Sequence, residues 1–178
     1  ERARKYVEAG GFLYASVAAD AAVPDMEALF GASLVDSAVV SEVPLKVVAP
    51  MGALRPGDTF RFPVPGVGPR YWGSQLEVKS GEVVAVDQEG RPALVTHTLG
   101  AGKTLLSAYP LETCLASTPS AFERPDEAHL LYRAFREWVG VEPLSHTDRP
   151  SVETAALRGA SRGYVVLVNH SAERQMEI

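Results

Sequence analysis

The chain has 178 residues, 46% apolar and 22% charged, the balance of an ordinary globular protein and not of a disordered, collagenous or low-complexity chain. There are 17 Lys and Arg against 22 Asp and Glu, a net charge of −5, and no basic stripe, which argues against a nucleic-acid or anionic-membrane surface. No run of about 18 apolar residues offers a membrane-spanning helix, and a single cysteine, Cys114, excludes an internal disulfide and a cysteine-based zinc site.

Residues 1–9 have a helical pattern, with Ala3, Tyr6 and Val7 at i, i+3 and i+4 and Gly10-Gly11 as the stop. The opening carries no apolar core of a signal peptide. Because it starts in what reads as mid-helix, and because ERQMEI ends the chain without a turn or charged tail, the expectation is a piece of a longer protein. Residues 12–16, FLYAS, form a short apolar run that suits a buried strand of a parallel sheet. Asp25 is placed to cap a short helix, DMEALF, closed by Gly31. Residues 34–50 are Val-rich, but Pro44 restricts any strand there to a short or edge one. Residues 52–70 hold four prolines and four glycines; they predict a loop-rich stretch with one strand near 58–64, and they run into the aromatic pair Tyr71 and Trp72.

Four strands are predicted at 74–79, 82–87, 92–98 and 103–108. Gln88-Glu89-Gly90-Arg91 and Leu99-Gly100-Ala101-Gly102 are hairpin turns with glycine where positive φ is needed. Residues 126–140 form the strongest helix pattern. Leu130, Leu131, Ala134, Phe135, Trp138 and Val139 make its apolar face, Asp126 lies near its start and Gly140 stops it. The character changes at EPLSHTDRP. Beyond it lie a hairpin and the start of a third strand, with no helix. The predicted division is an α/β domain over 1–147 and the beginning of an all-β domain over 148–178.

The string LGAGKT at 99–104 fails as a phosphate-binding loop. His97 stands where the first glycine belongs, and a strand, not a helix, follows Lys103. Cys114 lies in LETCLAS without the flanking glycines of a nucleophile elbow, which favours a small buried hydrophobe over a nucleophile. His97, His129, His146 and His170 show no metal-ligand spacing, and no cofactor motif is present. Asp20, Asp25, Glu112 and Glu123 are loop carboxylates. Glu112 stands out because it follows a strand end in YPLE, where ligands meet parallel sheets. Tyr71 and Trp72 would stack on a sugar face if exposed, or close the loop onto the sheet if buried.

The phrases YVEAGGFLYAS, DMEALFG, GRPALVTHTLGAGKTLLSAYPLE, LLYRAFREWVGV and PSVETAALRG with YVVLVNHS together resemble the C-terminal region of barrel-type glycoside hydrolases of the β-galactosidase-like kind. The resemblance implies a flavodoxin-like α/β domain, similar to class I glutamine amidotransferases and called the trimerisation domain in the β-galactosidases, with added β-hairpins. Part of a small β-sandwich would follow. It also implies a non-catalytic accessory role: the partner is the protein's own upstream catalytic barrel, with assembly into a homo-oligomer. Glu112, Tyr71 and Trp72 are the nominated contacts to carbohydrate at the edge of the sugar site. The rival readings are a stand-alone carbohydrate-binding module and an amidotransferase-like enzyme using Cys114. Location is left open between cytoplasmic and secreted.

Overall fold

The computed structural model describes residues 1–17, 25–40, 43–62, 71–119, 129–147, 149 and 151–170, with only the backbone of Ala38, Tyr71 and Trp72. The elements run α1 (Arg2–Glu8), β1 (Phe12–Ser16), α2 (Met26–Phe30), β2 (Ala32–Val40), β3 (Val43–Val47), β4 (Thr59–Phe62), β5 (Tyr71–Val78) and β6 (Glu82–Val86). They continue with β7 (Pro92–Leu99), β8 (Gly102–Ser107), α3 (Leu111–Ala116), α4 (His129–Val139), β9 (Val152–Arg158) and β10 (Gly163–Asn169). Six strands form one sheet in the order β1-β8-β7-β6-β3-β4; β2 pairs with β5, and β9 with β10.

Parallel pairing, expected of the run 12–16, is confined among these strands to β1 and β8, in register from Phe12 opposite Lys103 to Ser16 opposite Ser107. The remaining neighbours in the sheet are antiparallel. The fold is therefore mixed α/β. β1 is also half-buried along its length, not fully enclosed, because among the described strands β8 is its one neighbour. The Val-rich stretch divides into β2 and β3. β3 is short, as Pro44 demands, yet it is an interior strand: β4 pairs along Val43–Lys46, and β6 only at Lys46 and Val47. Pro44 thus lies where β3 has β4 as its one partner, and its missing N–H removes nothing from the β6 ladder.

Alternation decides which side chains reach the core. Val43, Leu45 and Val47 of β3 and Phe60 and Phe62 of β4 are buried, while Thr59, Arg61 and Lys46 are exposed. The middle strands β7 and β8 are buried on both faces, which explains their near-continuous apolar runs. Phe30 of α2, Leu111 of α3 and Leu131 and Ala134 of α4 close over the sheet. On α4 the predicted apolar face is in place, with Leu130, Phe135 and Trp138 packed at its rim; Asp126 lies outside the described residues. On α1 the predicted face holds only in part. Val7 is fully buried, but Tyr6 is exposed.

Two expectations about turns need separating. Gly90 and Gly100 do take positive φ, 77° and 61°. Gly102 does not, and its reason is space. A Cβ there would run into the carbonyl oxygens of Val7 and Gly11, because the β7–β8 turn sits directly on the end of α1. The Ala101 N–H donates to the Glu8 carbonyl at 3.1 Å and the Lys103 N–H to the Gly11 carbonyl at 3.2 Å. LGAGKT is thus a hairpin turn, and Lys103 is committed elsewhere: its Nζ donates to the Trp138 carbonyl at 2.7 Å and lies 4.8 Å from the Trp138 ring centroid. Asp25 precedes α2 at φ 61°, but its side chain makes no capping bond, which corrects the predicted cap. A left-handed residue there turns its carboxylate away from the first helical N–H groups.

A second polar anchor holds the β6–β7 turn. Asp87, nearly buried, accepts from the Arg91 guanidinium at 2.7 Å, the Tyr109 hydroxyl at 2.8 Å and the backbone N–H groups of Glu89 and Arg91. Burial pushes its carboxyl up, but these donors outweigh burial and hold it below the ordinary aspartate value. Beyond α4, the predicted hairpin is β9–β10, in register from Val152 opposite Asn169 to Arg158 opposite Gly163. Tyr164, Val165, Val166, Leu167 and Val168 on it are all exposed. The third strand expected after it lies outside the described residues.

The close approach at Gly102 makes a direct prediction. Gly102→Ala should destabilise by about 3 kcal/mol, roughly 6–12 °C in Tm, since backbone and not a flexible side chain is in the way. Gly163→Ala, whose added Cβ would meet only the Leu157 carbonyl at 3.7 Å, should stay within about 0.5 kcal/mol of the parent. Thermal melts followed by circular dichroism compare the two.

Candidate functional site

Chain geometry brings Glu112 to the C-terminal end of the parallel pair. β8 ends at Ser107, the chain turns through Tyr109 and Pro110, and α3 starts at Leu111. Glu112 therefore stands in the first turn of α3. β1 ends alongside, at Ser16. The Ser16 hydroxyl donates to Oε2 of Glu112, and the Tyr132 hydroxyl of α4 donates to Oε1 at 2.8 Å. The Tyr14 hydroxyl is buried beside the same carboxylate without a well-formed hydrogen bond. One carboxylate thus ties β1, α3 and α4 together.

The rings beneath are packed. Tyr14 and Tyr132 meet edge to face, with centroids 5.9 Å apart and planes at 89°. Tyr14 also lies 6.1 Å from Phe135, which in turn lies 6.1 Å from Trp138. Such contacts hold the Tyr132 hydroxyl on Glu112 with little rotamer freedom left to lose.

Charge follows from this arrangement. Burial pushes the Glu112 carboxyl up, but the hydroxyls of Ser16, Tyr14 and Tyr132 outweigh it and hold the group below the ordinary glutamate value. It is ionised at neutral pH. Burial, and then the Glu112 charge, pushes both Tyr14 and Tyr132 phenols above their ordinary range, so they remain donors. Cys114, two residues further along α3 and fully buried, is pushed up to about 11 by burial first and the Glu112 charge second. A thiol in that setting is the reverse of an activated nucleophile. This agrees with the small-hydrophobe reading of Cys114 and counts against its use as an amidotransferase-like nucleophile.

The site is therefore an acceptor ringed by donors. Glu112 remains accessible to solvent. A carboxylate offers about four acceptor positions, and Ser16 and Tyr132 occupy two. The rest can receive a ligand's hydroxyl or ammonium protons. An ionised carboxylate of lowered pKa is poorly suited to act as a general acid at neutral pH.

Of the other nominated residues, Tyr71 and Trp72 are not in a loop. Their backbones open β5, opposite Val40 and Val39 of β2, because the alternating pattern of 74–79 extends three residues further back. Their side chains lie outside the described residues, as do Asp20 and Glu123. Asp25 is at the start of α2 and belongs to no carboxylate pair in the described contacts. No group of three His, Cys, Asp or Glu side chains suited to a metal occurs among the described residues. His170 contacts Glu153 at 3.1 Å. Tyr14, Ser16 and Tyr132 were not anticipated. A tyrosine flanking the apolar face of α4, and a serine closing a strand, were the available signals.

Two measurements follow. The folded Glu112 carboxyl titrates below its unfolded value of 4.5, so the unfolded chain takes up the proton first. The interaction stabilises the fold above about pH 5 and is lost as pH falls through the folded value. Urea unfolding of Glu112→Gln should show a flatter acid limb than the parent, and Tyr132→Phe should cost about 1 kcal/mol at neutral pH. Separately, a chromogenic disulfide at neutral pH should label Cys114 orders of magnitude more slowly in the folded chain than in denaturant. Rapid labelling of the folded chain would restore Cys114 as a nucleophile.

No protein-family model and no curated protein sequence matches the chain. Solved structures do. The β-galactosidase from Bacillus circulans sp. alkalophilus matches 97% of this chain and 25% of its own, at 19% identity and a TM-score of 0.67. The cold-adapted β-galactosidase from Rahnella sp. R3 matches 98% of this chain and 26% of its own, at 15% identity and a TM-score of 0.67. A GH42 β-galactosidase from G. stearothermophilus matches 97% and 24%, at 14% identity and a TM-score of 0.63. At these identities the likeness is one of fold, and the chain spans about a quarter of the length of the solved structures it matches.

Proposed function

We propose that the chain is a non-catalytic accessory region of a glycoside hydrolase acting on β-galactosides or related sugars. In this reading it buttresses a catalytic barrel, takes part in assembly, and presents Glu112 at the edge of the sugar site. The observation that carries the proposal is the fold likeness, which runs over 97% of this chain but takes up only 25% of the β-galactosidase from Bacillus circulans sp. alkalophilus. Glu112 suits this role as an ionised acceptor for sugar hydroxyls. Tyr71 and Trp72, at the start of β5, are the second proposed contact.

Within that reading, residues 1–147 form a flavodoxin-like domain similar to glutamine amidotransferases, and 148–178 begin a β-sandwich. The parallel β1–β8 pair, with a helix leaving the strand end, supports the first part. The antiparallel strands β7, β6, β3 and β4 would be its added hairpins. The apolar residues exposed along β10 support the second, since a sandwich face needs a covering sheet.

The test has two arms. The coding sequence upstream of Glu1 should read as alternating strands and helices with glutamates at strand ends. The protein encoded by the longer frame should hydrolyse a nitrophenyl β-galactoside, while residues 1–178 alone should not. In the longer protein, Glu112→Gln should raise KM by about tenfold with a smaller change in kcat. Enzyme-like turnover by residues 1–178 alone, or a reading frame with no barrel pattern, would overturn the proposal.

A further inference from the structure

We draw no further inference here: the strongest candidate, the apolar surface exposed on both faces of the β9–β10 hairpin, with Tyr164, Val166 and Val168 on one face and Val165 and Leu167 on the other, carries nothing because nothing in the structure shows what covers it.

Discussion

The register of β1 against β8 is the constraint from which the rest of the described structure follows. It is set at one end, where the β7–β8 turn closes on α1. Gly102 has no Cβ because the Val7 and Gly11 carbonyls occupy that space, and Ala101 and Lys103 donate to Glu8 and Gly11 on either side of it. Five residues later the same register places Ser16 beside Ser107. A slip of one residue would turn every side chain of β1 to the opposite face. Tyr14 would leave Tyr132 and Phe135, and Ser16 would leave Glu112. A backbone contact at one end of the strand pair thus determines whether a polar site exists at the other.

That polar site and the Asp87 anchor solve the same problem in the same way. Each places a carboxylate where burial disfavours its charge, and each surrounds it with enough donors to reverse the balance. Asp87 is nearly enclosed and spends its acceptor capacity on Arg91, Tyr109 and two backbone N–H groups. Glu112 is accessible and has capacity left. The two carboxylates therefore differ in residual acceptor capacity, used up at Asp87 and partly open at Glu112. The Glu112 charge also reaches Cys114, where it adds to the burial that pushes the thiol up.

Much of the element order is legible because local signals agree with the tertiary outcome. FLYAS, the alternation in β4, the glycine turns at Gly90 and Gly100, and the apolar face of α4 each combine pattern and punctuation in one direction. Where they fail, longer-range packing is responsible. Parallel pairing does not spread beyond β1 because the next strands are joined by tight hairpins, which enforce antiparallel neighbours. Tyr71 and Trp72 belong to β5 because β2, more than thirty positions away, offers them a pairing edge. Asp25 loses its capping role to a left-handed backbone angle.

By itself, the amino-acid sequence determined the class of molecule, the punctuation of its strands, the apolar face of α4, and the failure of LGAGKT as a phosphate loop. These rest on composition, period and spacing, all properties of neighbouring residues. It also singled out Glu112, from its place after a strand end. Tertiary structure alone decided which groups meet that carboxylate. Tyr14, Ser16, Glu112 and Tyr132 come from three elements separated by up to 118 positions, and no local rule links them. It likewise decided that Cys114 is enclosed and that Tyr6, on the predicted apolar face of α1, is exposed. Each depends on how the helices close over the sheet, which is a property of packing in three dimensions.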